Sequence, residues 1–131
     1  MHQIKEWLTK NWDGLLQQYP ESKPLLAYFQ DYFSTSAGKD DFIDSIRLAI
    51  HGTGVSIQEV AGYSFEDDET NIGGEREVVT FYFCGEHDGE VTFKTFALVF
   101  EIVASAYAEL YPNSKDKISQ LLPRFKRIYG I

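Results

Sequence analysis

The sequence predicts an α+β fold, a small antiparallel sheet of three or more strands packed with about five helices. Three observations point to it. Apolar residues recur at helical spacing through the first fifty residues and again beyond residue 94. Between them lies a stretch rich in Val, Thr, Tyr and Phe, the residues that suit a pleated, half-buried surface. The order is helices, then strands, then helices. It segregates the two kinds of element where a parallel α/β sheet would alternate them.

Ile4, Trp7, Leu8, Trp12, Leu15, Leu16 and Tyr19 form one face of a first helix, with Gly14 unfavourable in its middle and Pro20 at its end. Pro24 opens a second helix, where its missing N–H costs little, and Leu25, Leu26, Phe29, Tyr32 and Phe33 are the apolar stripe. Ser34 to Gly38 reads as a loop. Asp40 or Asp41 can cap a third helix carrying Phe42, Ile43, Ile46, Ala49 and Ile50, which stops at Gly52-Thr53-Gly54. Val55 to Phe65 reads as one strand, and Glu66 to Gly74 as an acidic loop. Glu75 to Phe83 is the strongest strand signal. Both of its faces are apolar in the C-terminal half, which predicts a central strand covered there by helices. Gly85-Glu86-His87-Asp88-Gly89 predicts a hairpin turn, with Glu90 to Phe93 returning antiparallel. A fourth helix starts at Lys94 or Thr95. Phe96, Val99, Phe100, Val103, Tyr107 and Leu110 share a face, and Leu98, Ile102, Ala104 and Ala106 widen it, so this helix should be buried on most sides. Pro112 ends it. Asn113 or Ser114 caps a fifth helix with Ile118, Leu121, Leu122, Phe125 and Ile128 in register, kinked at Pro123. Most aromatics fall at core spacing, although Tyr28 and Tyr63 could instead anchor an interface.

The length of 131 residues suits a single domain, 1–131, with one core. A net charge of −8 excludes the usual nucleic-acid binder and a protein that docks on anionic lipid, since both need clustered Lys and Arg. A basic protein is the natural complement. The single cysteine, Cys84, allows no intrachain disulfide and fits a reducing compartment, so a cytoplasmic location is expected. No signal peptide is visible, and the most apolar stretch, Phe96 to Ala108, is too short to span a bilayer.

Charge is unevenly placed. Residues 66–90 hold nine acids and one base, Arg76, whereas residues 114–127 hold Lys115, Lys117, Arg124, Lys126 and Arg127 against Asp116. The acids gather around one β-hairpin, so several carboxylates should share one end of the sheet. Such clustering opposes folding slightly and steers a cationic partner inward. The candidate partner-binding residues are therefore Asp67, Asp68, Glu69, Glu75, Glu77, Glu86, Asp88 and Glu90. The plain alternative is a solvated surface that keeps the protein soluble. No catalytic, cofactor or metal site is expected. Glu66-Asp67-Asp68-Glu69 offers hard oxygen ligands but lacks the spacing and central glycine of an EF-hand loop. Cys84 and His87 make a lone C-x-x-H, short of a zinc set, and read as a Cys ending a buried strand and a His in an exposed turn. No nucleophile elbow occurs, and Gly52-Thr53-Gly54 follows a helix, the wrong order for a phosphate-binding loop.

Two stretches carry a family resemblance. One is Gly85-Glu86-His87-Asp88-Gly89-Glu90-Val91-Thr92-Phe93 running into the Phe96–Tyr111 helix. The other is the close, Ile118-Ser119-Gln120-Leu121-Leu122. With the size and acidity, the chain resembles the immunity proteins of bacterial contact-dependent growth inhibition (CDI), called CdiI. The resemblance implies a non-enzymatic cytoplasmic inhibitor. It would bind the basic C-terminal domain of a delivered toxin, in many cases a nuclease, and occlude it one to one, itself a monomer or weak dimer when free. The alternatives are a small regulatory or adaptor protein that acts through homo-oligomerisation, and a small enzyme built on Cys84 or the acidic loop.

Overall fold

The computed structural model describes residues 2–35, 42–52, 55–57, 61–65 and 78–131. Among the described residues, five α-helices and four strands appear in the order α1 (His2–Gln18), α2 (Lys23–Thr35), α3 (Phe42–Ile50), β1 (Val55–Ile57), β2 (Ala61–Ser64), β3 (Val78–Phe83), β4 (Glu86–Thr92), α4 (Phe93–Leu110) and α5 (Pro112–Tyr129). The strands form one antiparallel sheet in sequence order, β1-β2-β3-β4. The α+β class expected from the sequence is the one observed.

The layers follow from which faces are apolar. Ala61, Tyr63, Val79, Phe81 and Val91 are buried along one face of the sheet, where α2 and α4 cover it. The other face carries Gly62, Ser64, Thr80, Tyr82, His87 and Glu90, as the alternation of strand side chains requires. α1 packs outside α2 and α4, and α5 packs on α4 and α3. α3 sends Phe42 between the two central helices, where its ring lies 4.7 Å from that of Tyr107 and 5.9 Å from that of Phe100. α4 is thus surrounded, which is why Phe96, Ala97, Val99, Phe100, Val103 and Ala104 are all fully buried.

Polar groups fix the corners. α1 runs through Gly14 and is followed by a 3-10 turn, Pro20–Ser22, in which the Ser22 N–H and hydroxyl both donate to the Tyr19 carbonyl at 3.0 and 2.7 Å. α4 starts earlier than its sequence suggests, because Thr92 is its N-cap and accepts from the Thr95 N–H at 3.3 Å. The Thr92 N–H and hydroxyl in turn donate to Glu21 Oε1 at 2.7 and 2.9 Å, tying the end of β4 to the turn after α1. α5 begins at Pro112, with Tyr111 at the N-cap position and no side-chain cap. Asn113 and Ser114 therefore lie inside its first turn, and the helix continues through Pro123. The Tyr129 hydroxyl at its end donates to the Ala49 carbonyl of α3 at 2.6 Å.

The sheet departs from the sequence reading in three places. The single strand expected over 55–65 is two strands that pair with each other, Val55↔Tyr63 to Ile57↔Ala61. The cover over β3 stops short of the strand's end: Val78 to Phe81 are buried, as the expected C-terminal cover requires, whereas Phe83 is 45% exposed. The hairpin turn is Cys84-Gly85, not residues 85–89, since Phe83 pairs with Glu86. Cys84 and Gly85 have φ of 52° and 81°, the double positive φ of a type I′ turn, whose twist matches that of the strands it joins. Cys84 is therefore exposed in the turn and His87 lies on a strand. A cysteine at positive φ is strained, and asparagine occupies that region far more readily. Cys84→Asn is expected to raise stability by about 0.5–1 kcal/mol. A urea midpoint that does not rise would contradict this account of the turn.

Candidate partner-binding surface

Of the eight acids singled out from the sequence, Asp67, Asp68, Glu69, Glu75 and Glu77 lie outside the described residues, as do the Asp40/Asp41 caps and the oxygen-rich run Glu66 to Glu69. Glu86, Asp88 and Glu90 all lie on β4. They do not share one face. Glu90 pairs with Thr80 on the polar side of the sheet, whereas Glu86 pairs with Phe83 at the end of the apolar side. Asp88 sits at a register shift: Phe81 pairs with Gly89 and Tyr82 with His87, so Asp88 is an extra residue in a bulge.

That bulge brings Asp88 against α2. Together they border a cleft of about 290 Å³ between α2 and the turn end of β3–β4. Pro24, Ala27 and Tyr28 form one wall, Phe81 and Phe83 the other, and Asp31 and Asp88 lie at its border. Asp31 was not among the acids the sequence singled out. Its pKa is raised, first by partial burial and then by the negative charge of Asp88. Two carboxylates thus line one cleft whose walls are part apolar and part polar, and they are close enough to repel. Among the described residues, no base pairs with Asp88. The signal for Asp31 was present in the sequence. It follows Pro24, Ala27 and Tyr28 by seven, four and three residues, and so falls on one stripe of the helix that faces the sheet.

Behind the cleft, the tyrosines are packing residues. Tyr28 and Tyr63 are buried, with ring centroids 5.0 Å apart at 79°, so neither anchors a surface. Burial, and then the nearby phenols of Tyr63 and Tyr32, raise the Tyr28 pKa, and burial, and then Tyr129 and Tyr32, raise that of Tyr63, keeping both neutral. The Tyr63 hydroxyl has no hydrogen-bond partner among the described residues.

The opposite charge lies elsewhere. Lys115, Lys117, Arg124 and Arg127 project from α5, the helix that packs on α3 and α4, and Lys126 makes a 3.6 Å ion pair with Glu101. Among the described residues, no three His, Cys, Asp or Glu come together as a metal set. No described helix is long and apolar enough to cross a membrane.

No curated protein and no solved structure matches the chain significantly. A family model described as CDI immunity protein matches residues 9–122, most of α1 through the first half of α5 and with them the whole sheet. A match over that much of the chain means that the protein belongs to the CDI immunity protein family.

Proposed function

We propose that this protein neutralises a cognate CDI toxin domain in the cytoplasm by forming a one-to-one complex that covers the toxin's basic surface. The toxin in this reading is a nuclease, because a domain that grips a polyanion must present cations. The observation that carries the proposal is the gathering of negative charge: a net −8, with nine acids between residues 66 and 90. Family membership supplies the partner class, a cognate toxin. An interface of about 800 Å² per partner would suffice for a tight complex. Within it the acids supply steering and selectivity, and a few desolvated anchors supply most of the affinity.

The test uses the cognate CDI toxin domain, sought in the coding sequence next to that of this protein. Glu69→Gln, Glu75→Gln, Glu77→Gln and Glu86→Gln in one variant should slow association by about 10-fold at low salt. The salt dependence of the rate should flatten at the same time. Stopped-flow mixing reads both. Association at the wild-type rate, with the wild-type salt slope, would reject electrostatic steering.

A further inference from the structure

We infer that the cleft between α2 and the β3–β4 hairpin receives an arginine side chain of the toxin, its stem on Phe83 and its guanidinium between Asp31 and Asp88. This rests on the reading of the protein as a toxin-binding inhibitor and names the anchor within that interface.

Three observations select the occupant. The first is size. A cleft of about 290 Å³ sits at the lower edge of small-ligand pockets, room for one long side chain and too little for a cofactor. The second is the mixture of surfaces. Among the described residues, Phe83 is one of three large apolar side chains left exposed, at 45%, and it continues the buried face of Phe81 and Val79 toward the hairpin end. An exposed aromatic beside a half-enclosed apolar wall is the kind of place that seats an anchor residue. The third is charge. Asp31 and Asp88 face the same cleft and repel each other, and Asp31 is already partly desolvated. A cation between them relieves the repulsion. Arginine meets all three requirements at once: its guanidinium stacks on an aromatic face, forks toward two carboxylates, and is more weakly hydrated than an ammonium.

The local backbone sets this arrangement. The type I′ turn fixes Phe83, the bulge fixes Asp88, and Gly89 lets β4 close on Pro24. An anchor site preformed in this way loses little entropy on binding.

The experiment has two arms. In the first, the cognate toxin domain is titrated calorimetrically into the wild-type protein, Asp88→Asn, Phe83→Ala, and a control, Glu109→Gln, on α4. Each cleft variant should weaken binding by about 10–100-fold, and the control should stay within about threefold of wild type. Both cleft residues are exposed, so thermal melts should match wild type and loss of binding will not reflect unfolding. If the wild type binds tightly and both cleft variants keep its Kd, the cleft inference is wrong while the inhibitor reading stands. If the wild type neither binds nor inhibits the toxin domain, the inhibitor reading falls. The second arm needs no toxin. In amide NMR spectra, argininamide should shift Asp31, Phe83 and Asp88 saturably at millimolar concentration, and the uncharged citrulline analogue should not. Asp88→Asn should abolish the shifts. Equal responses to both probes, or shifts that persist in Asp88→Asn, would overturn the assignment.

Discussion

Phe42→Ala is expected to lower stability by about 3–5 kcal/mol, the range for deleting a fully buried ring. Phe42 is 0% exposed. Its ring meets those of Phe33 at 5.5 Å, Phe100 at 5.9 Å, Phe29 at 6.3 Å and Tyr107 at 4.7 Å, so one side chain joins α2 and α4. It belongs to α3, a helix of only nine residues. A helix that short is marginal by itself in water and persists because its apolar face is packed. Removing the ring leaves a cavity lined by other aromatics, and large flat rings collapse poorly into such a void. Urea denaturation at equilibrium measures the loss. A change below about 1 kcal/mol would mean that α3 is held by its α5 contacts, such as the Tyr129 hydroxyl on the Ala49 carbonyl, and not by the ring cluster.

Gly89→Ala is expected to destabilise by about 2–4 kcal/mol, combining backbone strain with overpacking. Gly89 has φ +154°, and a Cβ there would fall 2.7 Å from Pro24 Cγ and 3.5 Å from Pro24 Cβ. The first distance is a clash with a ring that cannot rotate away. The second is ordinary contact. Pro24→Ala removes the clashing atom, so the double variant Gly89→Ala/Pro24→Ala should recover roughly half of the loss, with the φ strain remaining. Additive losses from the two substitutions would show that the close approach of β4 to α2 is not what constrains this position. The same contact frames the candidate cleft, since Pro24 forms part of its wall. Gly89→Ala should therefore also weaken toxin binding at temperatures where the variant remains folded.

The helices were legible because a period near 3.6 survives in the sequence without knowledge of neighbours. All five were placed, and their buried stripes match at Phe29, Phe33, Ile46, Phe100 and Phe125, whereas Ile128, expected in the stripe of the fifth helix, is 58% exposed. The sheet was less legible. Val55, Ile57, Ala61, Tyr63 and Phe65 stay in one alternating phase across the reversal, so periodicity reads one strand where pairing makes two. Gly85 and Gly89 both look like turn residues. Only the pairing of Phe83 with Glu86 shows that the first makes the turn and the second a close contact with α2.

The site divides along the same line. The sequence by itself determined the composition of the surface: its acidity, the clustering of acids near the hairpin, the basic last helix and the family. It placed Glu86, Asp88 and Glu90 on one short segment and could not say that they point to different faces. That depended on a one-residue bulge, and a shift of one residue in a strand changes which side each side chain faces. Tertiary structure alone decided that Asp31, 57 positions away in the chain, comes to face Asp88, and that Phe83 projects past the helices that cover Phe81. Local pattern fixes which face of an element is apolar. Which elements then meet, and where their cover ends, is set by packing between distant segments, and that is where this cleft arises.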